Sequence, residues 1–176
     1  MGSTALSNRE NWQHGAAITG KKGEDGFAEK IAACLPSHYT VANKPAKINL
    51  YSGGKGVKLD TYIINNMTKK SILVEVKSGE QGGNAHERAY KYLSEGMRNA
   101  LIGMIPSLVS EAVFFVFSGR TFFGEQVFRS NSGTKVNPRK YQDEFAITFP
   151  SRLYEITDAS FSNIEDVAKK IMNLLD

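Results

Sequence analysis

The sequence predicts one α/β domain spanning residues 1–176, with a central mixed sheet flanked by helices. Three observations carry that expectation. Two β-rich runs, Val57 to Ile64 and Ser71 to Lys77, are separated by a polar break and read as an antiparallel hairpin. A helix-period segment opens near Asn84 and runs to Met104. A nearly continuous apolar run, Ala112 to Phe117, then lacks alternation, as a strand buried on both faces does. Strand, helix and strand in that order imply a right-handed crossover onto the same sheet.

Composition bounds the rest. A length of 176 residues suits one domain, and 41% hydrophobic with 23% charged residues can bury an ordinary core. The net charge of +4 and a pI near 9.1 are compatible with a polyanionic partner. Cys34 is the single cysteine, which excludes an intrachain disulfide and a cysteine-based zinc site. No apolar run reaches the length of a membrane span and no signal-peptide pattern opens the chain, so a cytoplasmic protein with no membrane partner is expected.

Taken in order, Ser7 and Glu10 form a capping-box pattern for a short helix through Trp12. Lys21-Lys22-Gly23 breaks the chain before a second helix, whose apolar face is Phe27, Ala28, Ile31, Ala32 and Leu35 and which Pro36 stops. His38 to Ala42 suits a short strand, and Pro45 to Tyr51 leads into a flexible loop at 52–56. Past the hairpin, 79–83 is another permissive loop. Asn84 as N-cap with Glu87 three positions on starts the next helix, with Ala89, Leu93, Met97, Ala100, Leu101 and Met104 facing inward. Residues 119–150 are polar and glycine-containing, and read as a solvated loop region. Ser162 and Glu165 make another capping box, opening a helix that buries Ile164, Val167, Ala168, Ile171, Leu174 and Leu175. Repeats and low-complexity tracts are absent from the sequence.

The hairpin carries the one charged constellation whose spacing suggests chemistry. In a strand, residues two apart share a face, so Glu75 and Lys77 lie together while Ile72, Val74 and Val76 point the other way. A turn symmetric about Met67 and Thr68 puts Asp60 opposite Glu75, on the same side of the pair. A slip of one residue would turn Asp60 away. Two carboxylates that close repel unless a cation joins them, and an all-oxygen set suits Mg²⁺ or Mn²⁺. Such an ion lowers the pKa of water and stabilises charge on a phosphoryl oxygen, and Lys77 stands where it can hold the attacking water. The competing reading is an ordinary Glu/Lys pair on the wet face of a surface hairpin.

Asp60 followed by Glu75-Val76-Lys77 resembles the D…(E/D)xK signature of the PD-(D/E)XK nucleases, with Leu59 where that family often has proline. More specific is Gly83-Asn84-Ala85-His86-Glu87-Arg88 with Ala89-Tyr90-Lys91, which closely resembles the GNA(I/H)ERxxK segment of the EcoRI/MunI branch of Type II restriction endonucleases. Leu6-Ser7, Arg9, Asn11-Trp12-Gln13, Lys44 to Lys47 and Leu50-Tyr51 extend the similarity. Val116-Phe117-Ser118-Gly119 is similar to the branch's FxEG strand end, with Ser118 in place of the glutamate. The likeness covers roughly the first two thirds of the chain, to about Arg129.

The resemblance implies a restriction-endonuclease-like fold and Mg²⁺-dependent cleavage of both strands of a short palindromic double-stranded DNA site, with Mn²⁺ as a substitute. It implies that Asp60 and Glu75 bind the metal, that the Val76 carbonyl completes the site, and that Lys77 assists the water. Gly83, Asn84, Ala85, His86, Glu87, Arg88 and Lys91 would contact DNA, and the branch's shared inner AATT suggests an AATT-type core. In several nucleases of the family an N-terminal helix adds an acidic group, a part that Glu24 or Glu29 could play if they are not a helix-dipole match and a solvated face residue. Arg120, Arg129, Lys135, Arg139 and Lys140, interleaved with aromatics, are either solvated or an arm on phosphates or outer bases. A twofold DNA site implies a homodimer, and the activity implies a companion DNA methyltransferase. Two other classes share these residues: a structure-selective repair or recombination nuclease, and a non-catalytic DNA-binding protein.

Overall fold

Alternation along two adjacent strands decides how the sheet is covered. In β3 (Ser71–Ser78) Ile72, Val74 and Val76 enter one apolar cluster and Leu73 enters the other. In β4 (Leu108–Ser118) Phe114 and Val116 join the first cluster, while Val113, Phe115 and Phe117 join the second. A sheet apolar on both faces needs a layer on each. The computed structural model, which describes residues 26–54, 56–79, 87–123 and 138–176, supplies both layers.

Five strands run in the order β1 (Tyr39–Asn43), β2 (Thr61–Asn65), β3, β4, β5 (Tyr154–Thr157). β2 runs antiparallel to both of its neighbours, β1 and β3, and β3, β4 and β5 are parallel, so the sheet is mixed as expected. One face is covered by helix α1, residues 26–34, and by α5 (Ile164–Leu175). The other is covered by a 3₁₀ turn (Glu87–Leu93), α2 (Glu95–Met104), the short α3 (Arg120–Phe123) and α4 (Pro138–Thr148). The restriction-endonuclease-like architecture of a mixed sheet between helices is therefore present. Among the described residues, no helix is long and apolar enough to cross a membrane.

Several elements differ from the sequence expectation. The segment expected to be one helix from Asn84 to Met104 is a 3₁₀ turn and then an α-helix, broken at Ser94, whose side chain accepts from the Met97 N–H and caps α2. The tighter turn repeats every three residues, so Tyr92 is buried beside Ala89; of the other residues expected to face inward Leu93, Met97 and Leu101 do pack against the core, while Ala100 and Met104 are exposed. The 119–150 stretch is not all loop, because α4 lies in it and buries Phe145, with Phe149 just beyond its end. β5 was not foreseen at all. α1 buries Phe27, Ala28 and Ile31, and Leu35 is buried just past its end, with Ala32 left exposed. At α5 the expected Ser162/Glu165 box is absent. Asn163 occupies the cap position without a side-chain capping bond, its amide donating to the Ile156 carbonyl at 2.9 Å, and Asp158 accepts from the Ser160 and Ser162 N–H groups at 2.9 and 3.0 Å. The expected helix from Ser7 to Trp12 lies outside the described residues.

Candidate active site

The β2–β3 hairpin follows the expected register. Thr61 pairs with Val74, Tyr62 with Leu73 and Ile63 with Ile72, a pattern whose next step sets Asp60 against Glu75. The Asp60 N–H donates to the Val74 carbonyl at 3.1 Å, so pairing reaches that residue. Its side chain then crosses toward β3, where Oδ2 accepts from the Val76 N–H at 2.7 Å. Asp60 is fixed at backbone and side chain alike.

Glu75 is 6% exposed and lies on the face of Leu73 and Phe115, over which the 3₁₀ turn and α4 pack. The Lys77 ammonium, on the same face, closely contacts Glu75 Oε1. Glu75 Oε2 is buried and has no hydrogen-bond partner. Burial first, and then the Glu75 charge, push the Asp60 carboxyl up to about 6, against the opposing pull of the Val76 N–H, Lys77 and Lys44. The cluster thus holds two mutually repelling carboxylates, one ammonium and one orphaned oxygen. That donor chemistry fits a hard divalent cation, with Asp60 and Glu75 as the side chains to hold it. Among the described residues no third His, Cys, Asp or Glu joins them.

The site lies toward the carboxyl ends of parallel β3 and β4, where two glycines allow the chains to meet. Gly79 donates to the Ser118 carbonyl at 2.8 Å, and a Cβ on Gly79 would come within 2.4 Å of the Phe122 ring. Gly119 has φ +108 and presses against the Gly79 backbone, which a side chain would not permit. Ser118, at the position of the family glutamate, is 2% exposed.

Of the other residues singled out from sequence, Glu87, Arg88 and Lys91 lie exposed on the 3₁₀ turn. Gly83, Asn84, Ala85 and His86 lie outside the described residues, as do Glu24, Arg129 and Lys135. Glu29 is exposed on α1, which packs on the sheet face opposite Glu75, so it is not brought into the cluster. Arg120 is exposed at the start of α3. Arg139 and Lys140 fall in the first turn of α4, and their side chains are outside the description.

Sequence reasoning missed Tyr92. It is 2% exposed and packs its ring 6.4 Å from Phe115, the in-register neighbour of Glu75, with the Lys91 ammonium 4.6 Å from the ring centroid. Burial, followed by the charges of Glu75 and Asp60, pushes its hydroxyl well above the ordinary tyrosine range. The only sequence signal was the spacing of three from Ala89, which marks a 3₁₀ face rather than an α-helical one.

Comparison with known proteins bears on this geometry. A family model described as "Type II restriction enzyme MunI" matches residues 1–123. Among solved structures, the crystal structure of the MunI restriction endonuclease in complex with cognate DNA is similar, with a TM-score of 0.53 and 19% identity over 79% of this chain and 83% of that one. At that identity the likeness speaks to the fold. No curated protein sequence matches significantly.

Proposed function

Because the chain belongs to the MunI family of Type II restriction endonucleases, we propose that it hydrolyses both strands of a short palindromic double-stranded DNA site, with Mg²⁺ as the physiological metal and Mn²⁺ as a substitute. The observation that carries the reading is the convergence of Asp60, Glu75 and Lys77 on one face, with Glu75 Oε2 buried and unpartnered. Residues 1–176 act as one restriction-endonuclease-like domain in a cytoplasmic enzyme. A DNA methyltransferase of the same system protects the host.

Asp60 and Glu75 would hold the cation, and the Val76 carbonyl would complete the set. When bound, the ion makes water acidic enough to yield a nucleophile at neutral pH and offsets charge on the phosphoryl oxygen. Lys77 orients the attacking water and faces the negative charge that builds on the phosphorus centre. Attack is in line with the departing 3′ oxygen, so no side chain forms a covalent bond with the substrate. The ion pair of Lys77 with Glu75 Oε1 keeps the ammonium beside the carboxylates and leaves Oε2 unpartnered.

Base reading is assigned to the segment Gly83 to Lys91. Asn84 offers an amide that pairs with adenine N6 and N7, Arg88 donates to N7 acceptors, and Glu87 accepts from an adenine amino group. Ala85 lines the groove, while His86 supports the loop. These residues suit an A/T core, and we propose AATT. The exposure of Glu87, Arg88 and Lys91 on a turn anchored by Ala89 and Tyr92 supports this reading. The basic residues from Arg120 to Lys140 are assigned to phosphates or outer bases.

Plasmid or phage DNA incubated with the protein and Mg²⁺ should give discrete fragments whose sequenced ends share an AATT core. A smear would identify a non-specific or structure-selective nuclease, and binding without cleavage a DNA-binding protein. Ends sharing a G/C-only core would refute the base assignment while leaving the reaction intact.

A further inference from the structure

The turn that presents Glu87, Arg88 and Lys91 is held from two sides. On its inner side Ala89 and Tyr92 are buried against the sheet, at 0% and 2% exposed. Tyr90, half-buried against the same apolar cluster, reaches from the turn to α4. The Tyr90 hydroxyl donates to Glu144 Oε1 at 2.8 Å and shares a hydrogen bond with the Thr148 side chain, one helical turn further along α4. Its ring lies 5.6 Å from that of Phe149. Phe145 and Phe149 are 0% and 1% exposed, so the helix end that receives Tyr90 is itself fixed in the core.

We propose that Tyr90, Glu144 and Thr148 form a clamp by which α4 sets the position of the base-reading turn, making α4 a determinant of how sharply the protein discriminates between DNA sites. The proposal rests on the nuclease reading above and extends it to a helix outside residues 1–123, the span matched by the family model. Tyr90 is a positioning residue. A side chain that forms bidentate bonds with a base tolerates little displacement, so loosening the backbone under Arg88 weakens correct and incorrect sites unequally.

The test uses the full chain. Discrimination is read as the ratio of cleavage rate at the best site to the rate at sites differing by one base pair. Amide exchange of residues 87–93 and thermal midpoint are measured on the same proteins. Tyr90→Phe and Glu144→Ala should each lower the ratio roughly fivefold, the scale of one lost hydrogen bond. Exchange in the turn should quicken. The double variant should be no worse than Tyr90→Phe alone, because that change already removes the bond to Glu144 along with the one to Thr148. Glu144→Gln, which keeps a carbonyl acceptor, should restore most of the ratio. Lowered thermal midpoints with an unchanged ratio would reduce the contact to a structural one and overturn the proposal. Unchanged ratio and exchange would overturn it as well. If the unaltered protein yields no discrete fragments, the nuclease reading fails and takes the role in discrimination with it. Turn exchange in Tyr90→Phe then decides separately whether the clamp exists.

Discussion

Asp60 accepts a hydrogen bond from the Val76 N–H at 2.7 Å, yet its carboxyl is pushed up to about 6 by burial and by the Glu75 charge. The folded protein therefore holds this proton more tightly than the unfolded chain does. Its contribution to stability is fully present below the unfolded value of 3.8, is lost as pH rises to about 6, and leaves an ionised, unfavourable carboxylate above that. The size of the shift corresponds to about 3 kcal/mol. Asp60→Asn keeps an acceptor for Val76 and removes the repulsion. In metal-free buffer at about pH 8 it should raise the thermal midpoint by ~5 °C while abolishing cleavage with Mg²⁺. A midpoint unchanged or lowered would mean that the two carboxylates do not strain one another. The same proton competes with a metal. Affinity for Mn²⁺ should climb by up to ~tenfold per unit as pH rises toward about 6 and then level off. Calorimetric affinities constant across that range would exclude Asp60 as a ligand. At this scale the site was largely legible, because the strict strand period fixes Glu75 and Lys77 on one face whatever else happens. Tyr92 was not legible, since its burial depends on a 3₁₀ turn standing where the pattern suggested an α-helix.

At the scale of elements, the position of Asp60 depends on the hairpin register, and one buried side chain locks it. Asn65, 1% exposed, accepts at Oδ1 from the Met67 and Thr68 N–H groups at 2.9 and 3.3 Å. Its amide donates to the Tyr39 hydroxyl and Asp176 Oδ1, both at 3.2 Å, and to the Leu175 carbonyl at 3.4 Å. Thr68 and Lys70 add bonds to the Leu175 and Asp176 carbonyls at 2.7 and 2.8 Å. The turn is thereby tied to the end of α5. Asn65→Ala leaves these donors and acceptors short of partners and should cost about 3 kcal/mol, read as a lower urea midpoint at an unchanged slope. An unaltered midpoint would show that the register is held elsewhere. The polar break was readable as a turn from Asn65 to Lys70, but its anchor was not, because the partner is more than 100 residues away in the chain. α4 escaped for a related reason. In PRKYQDEFAIT Phe145 is buried, with Phe149 four residues on, but Ile147 is 88% exposed and the segment is otherwise mostly polar, so the stripe is too thin to stand out. β5 has four residues, too few to display a period.

For the whole molecule, a formal charge of only +4 on 176 residues means that affinity for DNA must come from where the cations sit rather than from their number. Arg88 and Lys91 are exposed on the 3₁₀ turn and Arg120 lies at the start of α3. A palindromic duplex presents each half-site once per strand, and a C₂ pair of chains is the simplest body that meets both identically. Doubling the chain doubles the phosphate contacts without enlarging the charge on either one. Each neutralised phosphate releases condensed counterions, so the logarithm of affinity falls with the logarithm of salt at about 0.9 per contact. With Ca²⁺ in place of Mg²⁺ to hold the complex uncut, affinity for an AATT-containing duplex should fall ~10³-fold between about 50 and about 200 mM salt if six or more phosphates are engaged. Sedimentation of the same complex should give two chains per duplex at every salt concentration where DNA is bound. Salt-independent affinity would rule out duplex DNA as the ligand. One chain per duplex, still cutting both strands, would refute the twofold arrangement and leave each active site to reach the two strands in turn.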